Sequence, residues 1–127
     1  MGLEDMADPR VTDELSVKII EEPGPFYRLD WRPWVAETRW LLETGTAKSN
    51  VAARFHNALA RGCLEVARAV GRETVVLSGG CFLNRLLSER AQSLLAGAGF
   101  RVLTHQHISP GDGGLAVGQL WAAALED

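Results

Sequence analysis

What is scarce in this 127-residue chain narrows its reading first. There are only two cysteines, Cys63 and Cys81, and no CxxC spacing, which excludes a paired-cysteine zinc or redox motif. Both read as free thiols of a reducing compartment. Positive charge is not in excess. Thirteen Lys and Arg face sixteen Asp and Glu, for a net charge of −3, whereas a general nucleic-acid binder needs a basic surface. No apolar run nears the roughly 20 residues that span a bilayer. The start, "MGLEDMADPRVTDEL", is too acidic and polar for a signal peptide, and Met6 stands where a myristoylation signal has Ser or Thr. The expectation is a cytoplasmic protein with neither a nucleic-acid nor a membrane partner. Walker loops, GxGxxG, repeats, Ser–His–Asp order and paired catalytic carboxylates are all missing.

What is present is an ordinary globular balance, 46% hydrophobic and 23% charged residues, long enough for one domain with a modest core. Residues 1–14 read as polar and loose, "LSVKIIEE" (15–22) as a strand or extended arm, and the three-proline stretch 23–33 as loop. From Pro33, residues Trp34, Val35, Thr38, Leu41 and Leu42 keep helical rhythm up to Gly45, with Asp30 or Arg32 near the cap. A second helix, capped by Ser49 or Asn50, carries an apolar stripe from Val51 through Phe55, Leu59 and Cys63 to Val70. Gly71 ends it. "ETVVLSGG" (73–80) reads as a buried parallel strand, 81–99 as a helix, "FRVLTH" (100–105) as a second strand and 112–125 as the last helix. The order predicts an α/β fold with a right-handed βαβ unit, two or three strands and about four helices.

Two short motifs fall where the predicted strands end. "LSGG" places Ser78, Gly79 and Gly80 between strand and helix, where missing side chains let a phosphate or adenosine approach the backbone. The plainer reading is a turn whose angles require glycine. Asn84 is expected one turn into the following helix, its amide free for a ligand. "SPGDGGLAVGQ" places Asp112 at a helix start, either as an N-cap or as a carboxylate for a divalent cation. Gly113 and Gly114 weaken that helix by about 1 kcal/mol each relative to alanine, so something local requires them. Both turns are predicted on one sheet edge. His56, within the long helix, is either structural or a site residue. His105 and His107 form an HxH pair without the further ligands a metal needs. Trp31, Trp34, Trp40 and Trp121 cover core or a partner surface.

Four segments, "LDWRPWV", "NVAARFHNALA", "VVLSGGCFLNRLLSERAQSLLAGAGFRVLTH" and "SPGDGGLAVGQ", together resemble the carboxy-terminal end of the HypF-type hydrogenase maturation carbamoyltransferases over about residues 29–125. The resemblance implies an incomplete second half of an actin/hexokinase/Hsp70-like (ribonuclease H-like) ATPase domain, preceded by a polar arm and proline-rich loop at 1–28. It implies an enzyme that makes carbamoyl-adenylate from carbamoyl phosphate and ATP and carbamoylates the carboxy-terminal cysteine of HypE, the source of hydrogenase cyanide. It implies a divalent metal held by an HxxxH motif and by aspartates, among them that of the DGG motif. By the same resemblance Asp112 is the metal ligand. Ser78, Gly79, Gly80, Asn84, Gly113 and Gly114 lie along the nucleotide, and His56 marks a possible site helix. Cys81 replaces a residue that is often valine in the family.

The chain carries no HxxxH motif, no CxxC pairs, no acylphosphatase-like or adenylate-forming domain and no first ATPase half. The expectation is therefore that this chain alone performs no carbamoylation and binds no cofactor. It would need the missing half of a HypF-like protein, or a HypE-like partner. The alternative is a non-catalytic nucleotide- or partner-binding module that self-associates through its bare docking face.

Overall fold

The structure, a computed structural model, describes residues 2–24 and 26–125. Positions 1 and 25 of the expected arm, and 126 and 127 of the expected subdomain, lie outside the described residues.

The chain runs through α1 (Leu3–Met6), β1 (Ile19–Glu22), β2 (Phe26–Leu29), α2 (Arg32–Glu43), α3 (Lys48–Val70), β3 (Thr74–Leu77), α4 (Arg85–Gly97), β4 (Arg101–Thr104) and α5 (Leu115–Leu125). Single 3-10 turns precede α4 (Gly80–Leu83) and α5 (Asp112–Gly114). The predicted α/β order holds, and β3 and β4 pair in parallel from Thr74↔Arg101 to Leu77↔Thr104. Helix α4 is the crossover between them.

The amino-terminal quarter corrects the sequence reading. The stretch 23–33 is not all loop. Phe26–Leu29 is a strand, antiparallel to β1 in the register Ile19↔Leu29 to Glu22↔Phe26. Among the described residues the strands are thus four, in two separate sheets. Residues 2–15 are not loose either. Leu15 is fully buried. The Asn57 amide donates to the carbonyls of Val11 and Asp13 at 3.0 and 2.6 Å, and the Arg90 guanidinium to those of Val11 and Pro9 at 3.1 and 3.0 Å. Apart from Leu15, backbone carbonyls that accept from the Asn57 and Arg90 side chains hold this segment, so no hydrophobic period announces it.

Helix α3 is the axis of the fold. Its predicted stripe reaches both sides but leaves out Ala58, Ala60 and Leu64, because the helix separates two cores. Ala60, Leu64 and Ala67 pack with Leu77, Leu87, Ala91 and Leu95 of the βαβ unit. Val51 and Ala58 pack with Leu15, Trp34 and Leu41. Small residues let neighbours come close: a Cβ on Gly62 would lie 2.8 Å from Leu29 Cδ2 of β2. Gly71, at φ +70°, ends the helix in the left-handed conformation that favours glycine, and its N–H donates to the Ala67 carbonyl at 3.0 Å. At the start of α3 neither Ser49 nor Asn50 caps. Ala47 is the N-cap residue, without a side-chain bond.

Trp34 is buried, its Nε1–H donating to the Ser16 carbonyl at 2.7 Å. Trp31, Trp40 and Trp121 are exposed. Asp30 anchors the entry to α2, accepting from Arg32 Nε at 2.7 Å and Nη2 at 2.8 Å. That guanidinium holds the Asp30 carboxyl at about 2, below the ordinary 3.8.

Candidate functional site

The carboxyl ends of β3 and β4 carry both glycine turns, and the two turns are joined. The Gly79 N–H donates to the Pro110 carbonyl at 2.9 Å. Gly79 sits at φ +101°, a conformation that L side chains rarely adopt, so glycine is required there. A Cβ on Gly111 would lie 3.3 Å from Leu83 Cδ1 and 3.6 Å from Gly80 Cα. The convergence expected from two strand ends is therefore a direct backbone contact.

Ser78 is exposed beside this junction, its hydroxyl 2.8 Å from His105 Nε2. Sequence reasoning gave His105 no role with Ser78, yet the signal was there. If Leu77 pairs with Thr104, the next residues on the two strands face each other.

Ser78, His105 and Gly114 help to line a cleft of about 620 Å3 that runs on to Leu115 and Trp121 of α5. Gly114 is required by close approach, since a Cβ there would lie 2.6 Å from the Ser109 carbonyl oxygen. Among the described residues no Asp, Glu, Lys or Arg lines the cleft. Its wall offers backbone, hydroxyls, an imidazole and apolar surface, so the charge of any phosphate must be balanced from elsewhere.

Two expected features are corrected. The α-helix does not start directly after Gly80. The 3-10 turn intervenes, and Asn84 is the N-cap residue of α4 rather than a residue one turn inside it. Its Oδ1 accepts from the Leu87 N–H at 2.9 Å, while Glu4 Oε1 accepts from the Leu86 N–H at 3.1 Å. The amino terminus of α4 is thus capped by the protein itself. What a ligand could reach is the Gly79–Gly80 backbone. His56 lies behind this turn, 2% exposed and hydrogen-bonded to Asn84.

Asp112 is exposed and, against the simpler expectation, caps nothing: the 3-10 turn it begins has no side-chain cap bond. Neither Asp112 nor Gly113 lines the cleft, though both lie on the turn beside it. Among the described residues no group of three or more His, Cys, Asp or Glu side chains is placed to hold a metal ion. No buried side-chain nitrogen or oxygen is left without a partner there. The residues described do not by themselves make a metal centre.

A parallel βαβ edge bearing two fused glycine turns makes this an α/β half-domain, and the carboxyl ends of its strands are where open α/β sheets bind ligands. Comparison with known proteins makes the class particular. A family model described as "Carbamoyltransferase, Kae1-like Domain, second subdomain" matches residues 1–119, and so takes in the amino-terminal segment. The chain is 40% identical over 104 residues to the carbamoyltransferase HypF homolog of Cupriavidus necator, covering 77% of this chain and 26% of that protein. It is 32% identical over 123 residues to carbamoyltransferase HypF of Synechocystis, covering 96% and 16%. Full-length HypF, solved in a phosphate- and nucleotide-bound form, matches with a TM-score of 0.79 and 28% identity over 92% of this chain and 16% of that one. HypF of T. kodakarensis shares the fold, with a TM-score of 0.72 at 24% identity over 98% of this chain and 16% of that one.

The chain belongs to the HypF carbamoyltransferase family, as the second subdomain of its Kae1-like domain. It has the partial actin/hexokinase/Hsp70-like fold expected. It spans a quarter or less of the length of most of the curated relatives it matches, from 11% to 26%.

Proposed function

We propose that this chain forms one wall of the nucleotide-side cleft of a HypF-type carbamoyltransferase. The enzyme would transfer a carbamoyl group from carbamoyl-adenylate to the carboxy-terminal cysteine thiol of HypE, in the cytoplasm, for cyanide-ligand synthesis in nickel–iron hydrogenase maturation. The observation that carries this reading is the hydrogen bond from Gly79 to Pro110, which fuses the two glycine turns into one backbone surface. On that surface Gly79 and Gly80 leave room for the nucleotide, Ser78 offers a hydroxyl, and Gly113 and Gly114 keep the neighbouring turn free of side chains. Asn84 stands behind the turn. Asp112 would be one metal ligand of several, the others coming from outside this chain.

The cleft is open, and the described residues of its wall carry no charge. An open cleft cannot keep water from a reactive carbamoyl-adenylate. The pure chain is therefore expected to show no multiple turnover in a carbamoyl-transfer or ATP-cleavage assay, and to gain activity when the rest of the carbamoyltransferase domain is supplied. Multiple turnover by the chain alone would refute this.

A second reading is favoured by one observation: α5 buries none of its side chains, and Leu120, Trp121 and Leu125 are more than two-thirds exposed. A contiguous apolar face of this kind marks an interaction surface. The chain would then act as a nucleotide- or partner-binding module, self-associating when alone. Calorimetry with ATP and magnesium, beside sedimentation analysis, separates the readings: heat without self-association favours the cleft, self-association without heat the module. Among the described residues no helix is long and apolar enough to cross a membrane.

A further inference from the structure

We propose that the buried His56 and the half-buried Asn84 are a positioning pair that holds the Gly79–Leu83 turn against α3, with the His56 ring fixed as its Nδ1–H tautomer. The inference rests on the cleft reading only in giving that turn a ligand. The chain of bonds has one consistent polarity. Asn84 Oδ1 accepts from the Leu87 N–H, a backbone donor, so the amide nitrogen must be the atom facing His56. Asn84 Nδ2 lies 2.8 Å from His56 Nε2, so that ring nitrogen accepts. His56 Nδ1 lies 2.8 Å from the Ala52 carbonyl, which can only accept, so Nδ1 carries the proton. Each group thus fixes the next, from the first turn of α3 to the cap of α4.

The turn is clamped at both ends. At one, Gly79 donates to Pro110. At the other, the Asn84 N–H donates to the Cys81 carbonyl at 3.2 Å while the Asn84 side chain is held by His56. Asn84 therefore acts through the turn, as a positioning residue, and is oriented by the protein before any ligand arrives. A polar chain in which each group has one consistent partner specifies one arrangement of the elements it joins.

The charged groups on the packed elements are engaged elsewhere. Glu4 of α1 is bonded to the Leu86 N–H. On α4, Arg85 and Glu89 pair at 3.8 Å and Arg90 binds carbonyls of the amino-terminal segment. On α3, Arg54 and Arg61 pair with Asp13 and Glu14. No charged side chain hydrogen-bonds the His56 ring among the described residues.

Three measurements test the pair. In nitrogen-15 spectra of the parent chain, the His56 ring should show a protonated Nδ1 and a bare Nε2; a proton on Nε2 would overturn the proposal. Asn84→Asp keeps the acceptor for Leu87 but replaces the amide donor with a carboxylate, so the ring must donate from both nitrogens and carry a charge. A histidine that gains such a partner stabilises the fold below the ordinary histidine value of about 6.5 and loses that contribution as pH rises. The ratio of folding constants, variant over parent, should fall about tenfold or more between about pH 5.5 and about pH 8.5. A flat ratio would also overturn the pair. Finally, His56→Ala should speed amide exchange at residues 79–83 about tenfold while leaving the core amides of α3 unchanged; uniform acceleration would mean a packing role only.

If the parent binds ATP, the affinity of Asn84→Asp should follow the same pH curve, and a pH-independent affinity would count against positioning. If ATP is not bound even when the rest of the carbamoyltransferase domain is supplied, the cleft reading fails, and the ring spectrum and the pH ratio still decide the pair.

Discussion

Helices α3 and α5 are both rich in small and apolar residues, yet they have opposite fates. Ten of the twenty-three residues of α3 are buried, including Asn57 and His56. None of the eleven residues of α5 is, although Gln119 is its one polar side chain. Apolar content therefore does not decide burial in this chain; a partner does. Helix α3 has one on each side, in two separate cores. Helix α5 extends from the glycine turn with its leucines and Trp121 in solvent. A helix that is apolar all round belongs inside a larger body, which accords with relatives several times the length of this chain.

The sharpest break of this comparison is a pair of truncations. Leu64→Ala in α3 removes a side chain 2% exposed that packs with Leu77, Leu87 and Leu95. It should destabilise the chain by about 2–5 kcal/mol in urea unfolding. Leu120→Ala in α5 removes one 73% exposed and should change stability by no more than about 0.5 kcal/mol. Comparable losses would mean that α5 is packed in solution.

A pair of glycines comes next. Gly114→Ala places a Cβ 2.6 Å from the Ser109 carbonyl oxygen, a backbone atom that yields only if the loop moves. About 1–3 kcal/mol of local strain is expected, seen as a shifted turn and faster amide exchange at residues 108–115. Gly62→Ala in α3 instead meets the end of the Leu29 side chain at 2.8 Å. That crowding is offset by a gain in helix propensity of about 1 kcal/mol, so its net effect on unfolding should be smaller than that of Gly114→Ala on its turn.

Acid should also tell the two regions apart. Every ion pair among the described residues lies before residue 90. Asp30, held at about 2 by Arg32, is one of them. A depressed carboxyl stabilises the fold above its unfolded value of about 3.9 and loses that contribution as pH falls through the folded one. Between about pH 4 and pH 2 the parent should therefore lose more stability than Asp30→Asn, while local amide exchange within α5 shows no matching step. Parallel curves for the two proteins would count against the Asp30 contribution.

The parts of this fold legible in the sequence are those whose signal is local. A β-branched run ended by two glycines marked β3, the short run "FRVLTH" after Gly99 marked β4, and helical period marked α2, α3 and α4. Strand β2 was hidden by Pro23, Pro25 and Pro33, since its pairing with β1 is not written in its own four residues. The amino-terminal segment was hidden because carbonyl groups, not side chains, fasten it to Asn57 and Arg90. Of the candidate site, the glycine turns were legible and their meeting was inferable from strand order. The orientation of Asn84 was not, although asparagine before "RLL" is a favoured N-cap. Its second partner, His56, lies 28 residues away.

Thiol chemistry gives the finest test of the contrast. Cys63, on α3, is half-buried, and burial pushes its thiol above the ordinary value, with Cys81 adding to the shift. Cys81 is exposed beside the glycine turn. Thiolate is the species that alkylates, so Cys81 should react several-fold faster than Cys63 in the folded chain, and the difference should vanish in denaturant. Helix α5 has no cysteine of its own, but Ala123 is exposed on it. Ala123→Cys should therefore react like Cys81. If instead it reacts as slowly as Cys63 and speeds up on dilution, the apolar face of α5 is covered by a second copy of the chain. In that case the contrast between the two helices would belong to the isolated chain alone.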